Sequence, residues 1–207
     1  MPLKRAISVD EMYKMKFIEM PFEGEWHHSF GDPERSGVWL IWGNSGNGKT
    51  SFAMQVAKYL CQFGRVAYNT LEEGARKSFQ LALKRNSMHQ VAKKFIILSE
   101  GMDDLKKRLE KRKSPDIIII DSFQYSGLTK LEYKNLKAQF PNKLFIFISH
   151  AEGKQPEGRA AKFVKYDADI KINVEGYQAF ILSRFGGGEP FVIWAEGAAE
   201  YHGKIKP

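Results

Sequence analysis

A glycine-rich octapeptide between a predicted strand and a predicted helix constrains this chain more than any other feature of its sequence. Residues 43–50 read Gly-Asn-Ser-Gly-Asn-Gly-Lys-Thr and match the pattern G-x-x-x-x-G-K-[ST]. The apolar run 38–42 predicts a buried strand before the loop, and apolar residues at helical spacing over 50–62 predict a helix after it. Backbone N–H groups at such a helix N-terminus favour phosphate. The sequence therefore predicts a nucleoside triphosphate site.

Within this loop the residue types indicate separate roles. The glycines allow the backbone to fold around phosphate oxygens, Lys49 supplies a charge for the β- and γ-phosphates, and the Thr50 hydroxyl is a predicted Mg²⁺ ligand. ATP and Mg²⁺ are the predicted ligands. The predicted nucleotide-binding residues are Gly43, Asn44, Ser45, Gly46, Asn47, Gly48, Lys49, Thr50 and Ser51.

The remaining pattern predicts an α/β fold. Strands are predicted at 65–71, 95–99, 117–121 and 144–149, and helices at 74–85, 102–112 and 130–140. This alternation indicates a mostly parallel sheet flanked by helices. Three later runs, 169–174, 178–185 and 191–195, are separated by turn residues and predict an antiparallel extension. The predicted organisation is an N-terminal extension (1–36), a core (37–196) and a C-terminal tail (197–207).

Acidic residues follow two of the predicted strands. Asp121 ends the run Ile-Ile-Ile-Ile at 117–120, and the carboxyl end of such a strand faces the ligand crevice, so Asp121 is a predicted Mg²⁺ ligand. Glu72 and Glu73 follow the second strand, where a carboxylate can orient the attacking water. The sequence leaves the choice between these two glutamates open.

These three elements, in this order, resemble the RecA-like ATPase family, which includes homologous recombinases, replicative hexameric helicases and clock-type ATPases. The resemblance covers residues 36 to 196 and implies ATP hydrolysis, with Lys49 and Glu72 or Glu73 as catalytic residues. We expect no counterpart of the separate N-terminal domain of the helicases in this chain. In size it is similar to the small recombinase-like single-strand annealing proteins of phages and prophages.

The resemblance implies further roles on less specific motifs. His150 stands where the family has a γ-phosphate sensor, although many members have Gln or Asn there. Arg184 matches an arginine finger that acts in a neighbouring subunit, although Leu182 replaces the preceding Lys. The segment after His150 resembles a mobile loop that contacts single-stranded DNA in recombinases and helicases. Its predicted DNA-binding residues are Lys154, Arg159, Lys162 and Lys165.

The amino-acid composition indicates a class of binding partner and a cellular location. The chain has 32 basic and 24 acidic residues and a net charge of +8, which favours an anionic partner such as nucleic acid. Residues 84–113 contain most of this excess of positive charge. They form either a solvated helix face or a surface that binds DNA or a membrane. The single Cys61 excludes an internal disulfide framework. No apolar run approaches the roughly 20 residues of a membrane span, so a cytoplasmic protein is expected.

The sequence therefore predicts an ATPase that acts on single-stranded DNA in recombination or replication, as a ring or filament of identical subunits. Two alternatives stay open. One is a nucleotide-dependent interaction module with little hydrolysis. The other is a kinase for a small molecule or nucleotide, which is opposed by three predicted strands where a helical lid would stand.

Overall fold

The computed structural model describes residues 5–203, which form one central sheet with helices on both faces. The helices are α1 Val9–Lys14, α2 Gly24–Phe30, α3 Lys49–Leu60, α4 Lys77–Arg85, α5 Met102–Leu109, α6 Lys130–Gln139, α7 Arg159–Asp167 and α8 Ala195–Gly203. The strands are β1 Gly37–Trp42, β2 Val66–Thr70, β3 Phe95–Leu98, β4 Ile117–Asp121, β5 Leu144–Ser149, β6 Ala151–Glu152, β7 Gln155–Pro156, β8 Ile170–Glu175, β9 Gln178–Ser183 and β10 Phe191–Val192.

The main sheet has eight strands in the order β10-β9-β8-β1-β5-β4-β2-β3. The six strands from β8 to β3 are parallel, whereas β9 and β10 are antiparallel to their neighbours. The predicted α/β fold is therefore confirmed, and the antiparallel extension begins at β9 because β8 pairs in parallel with β1.

Parallel strands give the sheet two distinct edges. We call the edge where β1, β2, β4 and β5 end the carboxyl edge, and the edge where β1 to β5 begin the amino edge. In this arrangement the segments after these strands meet at the carboxyl edge, which is where ligands bind in open α/β sheets. The phosphate loop, the two glutamates and Asp121 all follow or end strands there.

The continuous apolar runs reflect burial on both faces of the sheet. In β4, Ile117 and Ile119 pack into one cluster with α3, whereas Ile118 and Ile120 pack into a second cluster with α5 and α6. All six residues of β5 are also buried. The strands that carry the site are therefore held rigidly from both sides.

The first 36 residues contain two helices that the sequence analysis did not predict. Met20, Phe22 and Phe30 are buried in the same cluster as β1 and α3, so the packed core begins before residue 37. Helix α1 buries none of its residues, and its start is stabilised by a capping box between Ser8 and Glu11. The spacing Ser-x-x-Glu is the sequence signal for this helix.

The segment predicted as a mobile loop after His150 has regular structure, which corrects that expectation. It forms the short hairpin β6–β7 and then helix α7. Ala161 and Val164 lie three residues apart on α7 and are buried against the sheet, so the helix is anchored by its apolar face. Within residues 5–203, no helix has the length and apolar character to cross a bilayer.

Candidate active site

A cavity of about 930 Å³ opens at the carboxyl edge of the sheet. Its walls come from the phosphate loop, from the segments after β2 and β5, and from the end of β4. Its volume falls within the range of small-molecule sites. The five loop residues that line it are Gly43, Asn44, Ser45, Lys49 and Thr50.

Backbone geometry explains why glycines stand in the phosphate loop. Gly48 has φ of +96°, a conformation that favours glycine, and it directly precedes the first residue of α3. At Gly43, a Cβ atom would lie 2.2 Å from the Val174 carbonyl oxygen, so no larger residue fits between the loop and β8. The Lys49 ammonium donates a 2.8 Å hydrogen bond to the Asn44 carbonyl oxygen across the loop.

Asn47 anchors the phosphate loop to the turn between β8 and β9. Its Oδ1 accepts a 2.8 Å hydrogen bond from the Gly176 N–H, and its carbonyl oxygen accepts a 3.2 Å bond from the Tyr177 N–H. Its Nδ2 donates to the Ser45 carbonyl oxygen at 3.2 Å. The Asn47 side chain, predicted to contact nucleotide, therefore shapes the loop, and Ser51 lies within the first turn of α3.

Asp121 is the last residue of β4 and lines the cavity. Lys49, of opposite charge, and Glu72, of like charge, line the same cavity. Burial raises the pKa of its carboxyl above the ordinary value, and repulsion from Glu72 acts in the same direction. A 2.5 Å hydrogen bond from the Tyr68 hydroxyl to Oδ2 opposes this rise, as does the charge of Lys49. Burial also lowers the pKa of the Lys49 ammonium, while Asp121 and Glu72 raise it. Lys49 and the carboxylates thus stabilise one another's charged forms.

The oxygen ligands present suit Mg²⁺. Thr50 and Asp121 both line the cavity, and hydroxyl and carboxylate oxygens are the hard donors that this ion prefers. Within residues 5–203, no group of three or more His, Cys, Asp or Glu side chains is placed to hold a metal. A site with so few protein ligands matches the usual arrangement for Mg²⁺, which is completed by water and substrate phosphates.

His150 joins the segments after β2 and β5. Its Nε2 lies 2.8 Å from Glu72 Oε2, and its Nδ1 lies 3.3 Å from Glu157 Oε2. Its backbone N–H donates to Gln124 Oε1 at 3.3 Å, which fixes the end of β5. Of the two glutamates after β2, it is therefore Glu72 that contacts the predicted sensor position, although Glu73 lines the same cavity.

Arg76 is a cavity residue that the sequence analysis missed. It lines the same space as Lys49, and within residues 5–203 its guanidinium forms no hydrogen bond or ion pair. The cavity therefore contains a second cation with free donors. Its place in the loop before α4 follows from the fold, and no spacing pattern in the sequence marks it.

Arg184 is not brought to this cavity. It follows β9, which runs antiparallel to β8, so it lies at the amino edge. There its Nη1 lies 3.4 Å from Asp169 Oδ1, and its N–H donates to the Asp169 carbonyl oxygen at 3.1 Å. A role for Arg184 as an arginine finger stays a prediction, and it requires a second subunit.

The four predicted DNA-binding residues also lie outside the cavity lining. Lys162 pairs with Glu152 at 2.8 Å, whereas Lys165 donates to Gln155 Oε1 at 2.7 Å and lies 4.4 Å from the centre of the Trp42 ring. Lys154 and Arg159 are exposed. Two of the four cations are thus engaged within the chain, and their contact with DNA stays a prediction.

Comparison with known proteins agrees with this geometry. The sequence model of the ATPase family associated with various cellular activities (AAA) matches residues 39–158. The DNA repair protein RadA of Streptococcus pneumoniae is 35% identical over 86 residues, which are 41% of this chain and 20% of RadA. The chain thus spans about a fifth of the length of that relative.

Solved structures extend the comparison to the fold. The ATPase domain of the protein G40-P has a TM-score of 0.53 and 17% identity, with 75% of this chain and 80% of that domain covered. The flagellar accessory protein FlaH of Methanocaldococcus jannaschii has a TM-score of 0.49 and 16% identity, with 75% and 87% covered. The first of these similarities shows that the fold is shared.

The family match spans more than half of the chain and includes the phosphate loop, Glu72, Asp121 and His150. The predicted fold class and the predicted ATPase activity are confirmed by these comparisons. This chain belongs to the ATPase family associated with various cellular activities, and its fold is that of the RecA-like P-loop ATPase domains.

Proposed function

We propose that this ATPase hydrolyses ATP with Mg²⁺ at the carboxyl edge and acts on single-stranded DNA as an oligomer of identical subunits. The observation that supports the hydrolytic site is the shared cavity of Lys49, Thr50, Glu72, Asp121 and His150. These residues come from four segments that are far apart in sequence. Phosphoryl transfer to water requires such a combination of a phosphate-binding cation, oxygen ligands for the metal and a carboxylate that can orient water.

In this proposal the phosphate loop binds the triphosphate and Lys49 balances charge on the β- and γ-phosphates. Glu72 orients a water molecule and accepts the proton that this water loses as its oxygen attacks the γ-phosphorus. The bond between the γ-phosphorus and the bridging oxygen to the β-phosphate then breaks, and ADP leaves with that oxygen. Mg²⁺, held by Thr50 and Asp121, would neutralise charge on the phosphates.

His150 and Arg76 complete the proposed site. The 2.8 Å contact between His150 and Glu72 holds the carboxylate at the end of β5, where it can respond to the γ-phosphate. Arg76 supplies a cation from the same subunit, which stabilises the charge on the transferred group. Arg184 would add a further cation from a neighbouring subunit.

Assembly into an oligomer is supported by two features of the surface. Arg184 lies at the edge opposite its own cavity, so it can act only in the cavity of another copy. In addition, the segment 7–18 exposes many large apolar side chains, and helix α1 buries none. A dense apolar stretch of this kind is typical of an interaction surface. The exposed side chains are Ile7, Val9, Met12, Tyr13, Met15, Phe17 and Ile18.

Action on DNA is supported by charge and by one relative. The net charge of +8 favours a polyanion. RadA, which is 35% identical over the aligned part, is described as a DNA repair protein. We carry this partner class to the present chain as part of the proposal.

The deciding measurement is the ATPase rate with and without single-stranded DNA over a range of protein concentrations. We expect the turnover per subunit to rise when single-stranded DNA is added and when the protein concentration is raised, because a trans-acting Arg184 requires assembly. A turnover independent of DNA and of concentration would contradict this mode of action. Phosphate transfer to a nucleoside instead of water would favour the kinase alternative, and nucleotide binding with no turnover would favour the interaction module.

A further inference from the structure

Five basic residues precede five adjacent strands at the amino edge. In the order of the strands across the sheet, they precede β1, β5, β4, β2 and β3. We call this row the basic edge, and its residues are Arg35, Lys143, Lys113, Arg65 and Lys94. Neighbouring strands are about 4.8 Å apart, so the row extends over about 19 Å. At the spacing of one strand of B-form DNA, about 3.4 Å per phosphate, that length corresponds to about five or six phosphates.

Direct contacts show that this row is continuous. Arg65 Nη1 donates to the Lys113 carbonyl oxygen at 2.6 Å, and the N–H of Val66 donates to the Lys94 carbonyl oxygen at 2.8 Å. Lys143 Nζ donates to the Pro115 carbonyl oxygen at 2.6 Å, next to the Lys113 segment. The basic residues are therefore neighbours in space although they are distant in sequence.

Acidic groups do not balance this surface. The segments 34–36, 93–94 and 111–116, together with Arg65 and Lys143, contain eight basic and two acidic residues. The acidic ones are Glu34 and Asp116, and Asp116 Oδ1 lies 3.8 Å from Arg35 Nη2. Burial lowers the pKa of Lys143; the charge of Asp116 opposes this shift, and the charge of Arg35 adds to it.

Five cations of these segments are free within the described part of the chain. Their side chains are exposed and form no hydrogen bond or ion pair with residues 5–203, and they are Lys93, Lys94, Lys111, Arg112 and Lys113. Helix α5, in the same basic stretch of the sequence, is different. Its Lys106 and Lys107 pair with Asp103 and Asp104 at 3.4 and 2.9 Å, and its Arg108 pairs with Glu100.

We propose that the basic edge binds the phosphate backbone of single-stranded nucleic acid. This inference rests on the proposed action on DNA and gives it a surface, which lies opposite the ATP cavity. A row of cations, with the free side chains of Lys93, Lys94, Lys111 and Lys113 in it or beside it, suits an extended polyanion and carries no base specificity. An anionic membrane fits less well, because none of the large exposed apolar side chains of residues 5–203 lies in these segments.

The test compares two variants that each remove two positive charges. Lys94→Gln combined with Lys113→Gln alters the basic edge at side chains that hold no internal contact. Lys106→Gln combined with Lys107→Gln is the matched control on α5. Affinity for a fluorescent oligothymidylate is measured by anisotropy over a series of salt concentrations, and circular dichroism checks folding. We expect the basic-edge variant to lose about tenfold in affinity and to lower the salt slope by about 1.4, whereas the control stays near wild type.

A third variant, Lys154→Gln combined with Arg159→Gln, separates this inference from the proposed function. Loss of affinity in that variant, with wild-type affinity and salt slope in the basic-edge variant, would overturn the inference and leave action on DNA intact. A wild-type chain that does not bind the oligonucleotide with ATP present would overturn both. Preferential binding to phosphatidylserine vesicles would overturn nucleic acid as the ligand.

Discussion

At the carboxyl edge of the sheet, Lys49 and Arg76 share one cavity with Glu72, Glu73 and Asp121, so cations and carboxylates are mixed. At the amino edge, basic residues outnumber acidic ones, and most of their side chains are free among residues 5–203. The same parallel strands connect the two edges.

Solvation explains why the two edges differ. In the cavity, burial lowers the pKa of Lys49 and raises the pKa of Asp121, so each charge requires an opposite charge nearby. At the amino edge, water solvates the lysines, and like charges can lie side by side at small cost. A compact polyanion with a metal ion suits the first edge, and an extended polyanion suits the second.

Replacing Lys49 is expected to have the largest effect, and it separates ATP hydrolysis at the carboxyl edge from nucleic-acid binding at the amino edge. In Lys49→Ala we expect ATP hydrolysis to fall by at least about 10²-fold, because a half-buried cation on the phosphates is lost. Binding of oligothymidylate without nucleotide should stay within about twofold of wild type, since Lys49 is remote from the basic edge. Turnover assays and anisotropy measure the two effects. An equal loss of both would show that one surface serves both ligands.

Glutamate substitutions sharpen the description of the carboxyl edge. Glu72→Gln should lower kcat by about 10²-fold with little change in ATP affinity, because the group that orients water and accepts its proton is lost. Glu73→Gln is the matched control, since Glu73 lines the cavity without a contact to His150. Single-turnover hydrolysis and nucleotide binding are the measurements. A larger loss in Glu73→Gln would reverse the assignment.

Replacing Arg76 tests whether a second cation of the same subunit contributes to ATP hydrolysis. In Arg76→Ala we expect kcat to fall by about tenfold at all protein concentrations, because the exposed Arg76 contributes less than the half-buried Lys49. Lys77→Ala is the control, as Lys77 is adjacent but does not line the cavity. Steady-state kinetics over a concentration series measure the effect. Unchanged kcat in Arg76→Ala would leave Lys49 as the cation of this site.

Replacing Cys61, which lies near the amino edge, is expected to have the smallest effect, a change in how stability depends on pH. Burial raises the pKa of its thiol to about 11, and Lys94 partly offsets this rise. The folded protein therefore holds the proton while unfolded chains lose it above about pH 8.5, so stability falls as the pH rises from there to about 11. Thermal denaturation of wild type and Cys61→Ala over this range measures the effect. The variant should show a weaker decrease, and identical curves would contradict the raised pKa.

Sequence patterns predicted the parts of the site that depend on local chemistry. The phosphate loop is a contiguous motif, and Asp121 ends an apolar strand, so each could be assigned without knowing its neighbours. The parallel sheet also followed from alternating strands and helices. Helix α7 was missed because turn residues at 153 and 158 and several charges concealed the apolar spacing of Ala161 and Val164.

Contacts between distant segments could not be predicted in this way. Tyr68 and Asp121 are 53 residues apart, and their hydrogen bond depends on the pairing of β2 with β4. Glu72 contacts His150 across 78 residues because β2, β4 and β5 are adjacent in the sheet. Arg76 enters the cavity only because the loop after β2 turns back at Gly74, whose N–H donates to the Thr70 hydroxyl.

The anchoring of the phosphate loop by Asn47 has a mechanical consequence. Asn47 holds the turn at one end of the β8–β9 ribbon, and Arg184 lies at the other end. Six paired positions join the two strands, so the ribbon connects the phosphate loop to the amino edge. A nucleotide that displaced the loop and, through this ribbon, Arg184 would couple the two edges, and linkage makes such a coupling reciprocal. A ligand or subunit that binds the amino edge would then change the affinity for ATP. ATP would change the affinity for that ligand or subunit by the same factor.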